Sequence, residues 1–230
     1  MSWYAKPSGA YEFNSNEAKA NMLEISNMLK TYNFSNESIS AIIGNAYGES
    51  GLNPWRWQND YVADENGYGL YQYTPSTSYI NGASTVQGYS PNLSTSTQTS
   101  GATAEDGKAQ TIVIANDTIG KWYPYCWRDY WDETEFSSLW SLHNTILNTY
   151  GDGDYLTLNQ FKTITDLYSA TFAFLACYEG PGYPNMENRY SYAQAVYKYL
   201  FNGDTPIPPT PTPTTTKKKM PLWFYLRPYF

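Results

Sequence analysis

Apolar residues recur at helical intervals through most of residues 14–203. Residues 14–32, NSNEAKANMLEISNMLKTY, put Ala18, Met22, Ile25 and Leu29 on one face, and Asn14 with Glu17 has capping-box spacing. A second helix is predicted from Ser35, with Ile39, Ile42, Ile43 and Ala46 facing inward. Gly51 is the usual left-handed stop, and Pro54 prevents the helix from resuming. Helical patterning returns over 108–122 and more weakly over 134–149. Residues 157–182, TLNQFKTITDLYSATFAFLACYEGPG, join a capped entry at Thr157 and Gln160 to a run that is apolar all round. Such a helix belongs at a domain centre. Residues 185–203, NMENRYSYAQAVYKYLFNG, close the pattern as an amphipathic helix stopped by Gly203.

Between these stretches the pattern changes. Residues 55–74, WRWQNDYVADENGYGLYQYT, are aromatic and broken by the turn signal DENG. A small β-hairpin or meander is predicted there, with Leu70, Gln72 and Thr74 on one strand face and Tyr71 and Tyr73 on the other. Residues 81–107 are Ser/Thr/Gly/Asn/Gln-rich and read as a long polar surface loop. Residues 204–219 form a Pro/Thr/Lys linker, and 220–230, MPLWFYLRPYF, an apolar-aromatic tail. The expected organisation is one domain over 1–203, of α+β class, mostly helical with one β excursion after the second helix.

Composition narrows the function. Charged residues are 15% of the chain and aromatics 18%, including 24 Tyr and 8 Trp, which suits a broad half-polar binding surface. Net charge is −7; residues 201–230 hold one acid and four Lys/Arg, leaving −10 on residues 1–200. An acidic body argues against nucleic acid as a partner, since phosphate binding needs a basic field. The start of the chain lacks the apolar run of a signal peptide, and no stretch approaches a membrane span. Delivery to any target outside a cell is therefore expected to depend on something else. Cys126 and Cys177 can pair or remain thiols; without a sign of secretion, free thiols are expected.

One acid stands out. On the second helix Ile39, Ile42, Ala46 and Glu49 share a face, so Glu49 extends the buried stripe. Gly44 and Gly48 thin the helix beside it and permit close approach of another element. An acid at a helix C-terminus meets the negative dipole end, and partial burial disfavours its charge further. A carboxyl kept in that state suits proton donation to a leaving oxygen, as in glycosidic cleavage.

The surrounding motifs carry a resemblance. Ala41-Ile42-Ile43-Gly44-Asn45 and Glu49-Ser50-Gly51-Leu52-Asn53-Pro54 are followed by Gly67 to Thr74, GYGLYQYT, and by Phe174 to Ala193, FLACYEGPGYPNMENRYSYA. Their order resembles the phage tail lysozyme family of virion-associated peptidoglycan hydrolases, within the goose-type lysozyme and lytic transglycosylase superfamily. The resemblance implies a lysozyme-like fold that cleaves the β-1,4 bond between N-acetylmuramic acid and N-acetylglucosamine. Glu49 would be the general acid, with Ser50 and Gln72 positioning the sugar or its N-acetyl group. It also implies a virion location, in a phage tail that opens the host wall locally during entry, and no cofactor. Three departures are visible. Tyr73 stands where Trp is common, the 81–107 loop is an insertion placed to line or cap the groove, and Gly180 follows Glu179 where the family often has Arg, so Glu179 is read as structural.

Trp57, Tyr68, Tyr73 and Tyr183 are candidate stacking surfaces for a glycan. A second carboxylate would be sought at Asp60, Asp64 or Glu65, although DENG is also what a solvated turn looks like. Without one, the substrate's N-acetyl group can assist, or the muramyl 6-hydroxyl can close onto C1 as in a lytic transglycosylase. His143, the single histidine, with Cys126 makes a poor thiol-peptidase pair, and zinc ligands are too few. The stretch from Asp152 begins like a calcium loop but has Thr163 where the bidentate Glu would fall. For residues 217–230, docking to another tail protein or the start of a second domain is preferred to membrane contact, because Pro221 and Pro228 interrupt any amphipathic helix. A wall-binding or structural tail protein without turnover is the alternative from another class.

Overall fold

The computed structural model describes residues 3–61, 63, 65–83 and 104–202. The predicted linker and tail, the middle of the predicted polar loop and Asp64 lie outside them. The described elements are α1 (Asn16–Thr31), α2 (Asn36–Ser50), α3 (Ser76–Ala83), α4 (Ala104–Asn116), α5 (Ser137–Thr149), α6 (Leu158–Phe161), α7 (Leu167–Phe174) and α8 (Met186–Phe201). A π-helical turn, Leu175–Glu179, continues α7. None of these helices is long and apolar enough to cross a membrane.

Helix α2 is the axis of the molecule. Its start and stop are those its sequence predicts: Ser35 accepts a hydrogen bond from Ser38 N at 3.0 Å, and Gly51, at φ 60°, donates to Tyr47 O. All residues from Ser38 to Ala46 are buried, because α7 and α8 both pack against it. Each fully buried isoleucine here contributes about 1.5–3 kcal/mol relative to exposure. Gly44 sets the α2–α8 distance, since a Cβ at that position would stand 2.6 Å from Ala193 N.

Elsewhere the local chemistry moves boundaries. Ser15, not Asn14, caps α1, accepting from Ala18 N at 3.1 Å. The Thr157–Gln160 capping box forms as expected but serves only the short α6. Asp166 then caps a fresh start through Ser169 N, so the single long helix predicted from 157 becomes α6, α7 and the π turn. Helices α3 and α4 occupy the two ends of the predicted 81–107 loop, and α4 ends at Asn116, before the predicted 122.

The predicted β-hairpin does not form. Among the described residues there are only two isolated antiparallel bridges, Trp57 with Tyr68 and Tyr68 with Tyr73. Gly69 at φ 81° and Gln72 at φ 43° bend the segment into a turn, across which Tyr68 and Tyr73 exchange backbone hydrogen bonds of 3.1 and 2.9 Å. Extended alternation cannot pass through two left-handed residues, so among the described residues the fold is predominantly helical, without the expected strand pair.

The expectation of free thiols is also overturned: Cys126 and Cys177 form a disulfide, with Cα atoms 4.4 Å apart. The Tyr123–Cys126 turn docks on the π turn through Tyr123 N to Cys177 O at 2.7 Å, bringing the two sulfurs together. A sequence separation of 51 residues gives no hint of that docking.

Candidate active site

Glu49 sits in the last turn of α2 and opens into a cavity of about 860 Å³. That volume suits a ligand of a few rings. The walls come from the turn after α2 (Arg56, Asn59, Gln72), the segment after α4 (Lys121, Arg128) and the π turn (Tyr178, Glu179). The Glu49 side chain is 22% exposed and forms an ion pair with Arg189 of α8. Arg189 reaches across because α2 is bare there: a Cβ on Gly48 would lie 3.7 Å from its Nη1. The same guanidinium donates to Asn45 Oδ1 at 3.0 Å, so two α2 side chains hold it. Asn45 in turn donates to Ala41 O at 2.8 Å.

Glu179 is the second carboxyl of this cavity. Its Oε1 is closed off from solvent and has no hydrogen-bond partner among the described residues. Burial, and then the neighbouring Glu49 charge, push its pKa up to about 8 against the opposing pull of Lys121 and Arg189. Lys121 is shifted the other way. Burial drives its pKa down, helped by the Arg128 cation and resisted by Glu179 and Glu49. Its ammonium lies 4.8 Å from the Tyr178 ring centroid and 5.1 Å from that of Tyr73, a cation–π seat. Asp117 fixes the approach, accepting from Lys121 N at 2.7 Å and Trp122 N at 3.0 Å.

The residues singled out in the sequence divide sharply. Glu49 and Gln72 share the cavity, with Gln72 Nε2 donating to Arg56 O at 3.2 Å and Gly69 O at 3.0 Å. Ser50 is fully buried, and its hydroxyl bonds back to Ala46 O. Trp57, Tyr68 and Tyr73 are core side chains with no face open to a sugar; the Tyr68 hydroxyl donates to buried Asp106. Tyr183 is exposed but packs its edge on Phe136, outside the cavity lining. Asp60 accepts from Ser8 Oγ and Gly9 N, which hold its carboxyl below the usual range, and it does not line the cavity. Glu65 is exposed and also away from it, and Asp64 lies outside the described residues.

Other chemistries lose their groups. Cys126 is oxidised, and His143 is buried with Nε2 on Tyr125 O at 2.8 Å and its ring stacked on Trp140. Among the described residues no group of three or more His, Cys, Asp or Glu could hold a metal ion. Asp152 instead closes a turn through Tyr155 N.

Glu179, Lys121 and Arg189 are the members that residue-by-residue reading did not assign to the site. A signal for Glu179 was nonetheless present. Like Glu49, it ends an apolar helical run just before a left-handed glycine, Gly180 at φ 57° matching Gly51 at φ 60°. The cavity thus brings two helix-ending carboxyls and several cations around one polar space, an arrangement suited to acid–base chemistry on an uncharged or anionic ligand. The family model described as phage tail lysozyme matches residues 20–200, a span containing all of these groups. The chain therefore belongs to the phage tail lysozyme family, whose members degrade peptidoglycan as lysozyme-like hydrolases or transglycosylases.

Proposed function

We infer that the protein cleaves the β-1,4 bond between N-acetylmuramic acid and N-acetylglucosamine, with Glu49 as general acid, and that it opens the wall locally for a phage tail. The observation that carries this reading is the Glu49 carboxyl itself, ending a buried helix and facing a ligand-sized cavity. In the proposed reaction Glu49 gives its proton to the glycosidic oxygen as the C1–O bond breaks. Water or the muramyl 6-hydroxyl then attacks C1 and returns a proton to the Glu49 carboxylate, so the acid is regenerated. In this reading Gln72, which lines the same cavity, is a sugar contact. Arg189 holds the Glu49 carboxyl in place and pairs with the carboxylate that is left once the proton has gone to the leaving oxygen.

The test is digestion of purified peptidoglycan by wild type and Glu49→Gln, with released fragments identified by mass spectrometry. General acid catalysis supplies roughly 10²–10⁴-fold, so the variant should slow by at least about 10² while keeping its circular dichroism spectrum. Equal digestion by both proteins removes Glu49 from its role. Digestion by neither favours a wall-binding protein without turnover. Reducing ends identify a hydrolase and anhydro-muramyl ends a transglycosylase.

A further inference from the structure

Glu179 is a cavity group that neither the family reading nor the proposed reaction uses. Glu179 projects from the π turn with Oε1 dry and unpartnered among the described residues. Every element around it brings charge or a hydroxyl. Glu49 comes from α2, Arg189 from α8, Lys121 and Arg128 from the segment after α4, Tyr71 and Tyr73 from the turn after α2, and Tyr178 from its own turn. Both carboxyls are within electrostatic reach of Arg189, yet in the structure the guanidinium is bonded to Glu49 and Asn45 and not to Glu179.

With Oε1 dry and without a hydrogen-bond partner, an ionised Glu179 is costly, whereas its neutral acid does not compete with Glu49 for the guanidinium. The protonated form is therefore the one compatible with Arg189 remaining on Glu49. On the reading that Glu49 is the acid, we propose that Glu179 is a positioning residue: as a neutral carboxylic acid it leaves Arg189 to Glu49, and on ionising it draws Arg189 away and releases the Glu49 carboxyl from its working position.

The consequence is an alkaline limb in activity. Below pH 8 the neutral acid should hold the site in order, and above it kcat/KM on purified peptidoglycan should fall. Glu179→Gln mimics the neutral acid, so its kcat/KM should stay level through the pH range in which the wild type falls. Lys121→Met removes a cation that favours the Glu179 anion, so its limb should move to higher pH. A second readout does not need activity. In ¹³C-glutamate-labelled wild type, one carboxyl resonance should titrate above neutrality, move to lower pH in Glu49→Gln and vanish in Glu179→Gln. The proposal is overturned if no carboxyl titrates above about pH 6, or if Glu179→Gln keeps the wild-type alkaline limb. Either result leaves the Glu49 assignment standing, whereas an active Glu49→Gln would remove that assignment independently.

Discussion

Breaking the Cys126–Cys177 bridge should cost stability by an amount set by the loop it closes. The cysteines are 51 residues apart. The chain-entropy relation, with a constant of about −2.1 and 1.5R multiplying the logarithm of loop length, gives about −14 cal/mol/K for that separation, or about 4 kcal/mol at 25 °C. With a urea dependence of about 2.5 kcal/mol/M, the midpoint should fall by about 1.5 M. The assay is urea unfolding followed by tryptophan fluorescence, comparing wild type with and without reductant and the double variant Cys126→Ala/Cys177→Ala. A midpoint within about 0.3 M of the oxidised protein would show that the docking of the 123–126 turn, not the covalent link, constrains the chain. The bridge also ties the segment carrying Lys121 and Arg128 to the turn carrying Glu179. Activity should therefore drop on reduction even at urea-free stability, on the order of tenfold or more, because a 1 Å misplacement at a site can cost about 10².

Two other perturbations test the packing and the ionisation of the core. Gly44→Ala places a methyl group 2.6 Å from the backbone nitrogen of Ala193, so α2 and α8 must separate; the expected loss is about 1–3 kcal/mol in chemical denaturation, and an unchanged midpoint would contradict the close crossing. His143 is held below its ordinary value of 6.5 mainly by burial, so the unfolded chain takes up the proton first as pH falls. Stability should therefore be lost below about pH 6.5, and His143→Phe should flatten the melting temperature between pH 5 and 7 relative to wild type.

Helix positions were readable wherever a cap, an apolar stripe and a stop coincided. Ser35, the isoleucines and Gly51 specify α2 almost to the residue, because each is a local interaction between neighbours in the chain. Glu49 was legible for the same reason, being the polar end of that stripe. What failed depended on distant partners. The period-two pattern of Leu70, Gln72 and Thr74 predicts a strand, but Gly69 and Gln72 turn left-handed, and buried Gln110 meets the turn, accepting from Leu70 N at 2.6 Å and donating to Pro54 O. The Glu49–Arg189 pair spans 140 residues, and neither partner's neighbours announce it. The carboxyl on Glu179 was visible, yet its role depends on which groups the fold gathers around it.

The tyrosines show how such gathering changes the meaning of a composition. An aromatic content of 18% suggested rings laid out for sugars, but the fold places Tyr71, Tyr73 and Tyr178 in the core. Phe174 stacks on Tyr178 at 5.0 Å, Tyr73 stacks on Tyr79 at 4.9 Å, and the Tyr178 and Tyr73 hydroxyls meet at 3.1 Å. This cluster forms the floor on which Lys121 rests, and Tyr178 is itself part of the cavity wall. A phenol can do this where leucine cannot, since its ring face accepts the ammonium while its hydroxyl finds a partner inside the protein. Burial, to which the aromatic floor contributes beneath Lys121, is the largest cause of both shifts, down for the lysine and up for Glu179. Tyr73, which the sequence offers as a stacking surface for the ligand, thus serves instead in the floor beneath Lys121. Beside this floor the cavity is lined by the charged and amide groups of Arg56, Asn59, Gln72 and Arg128.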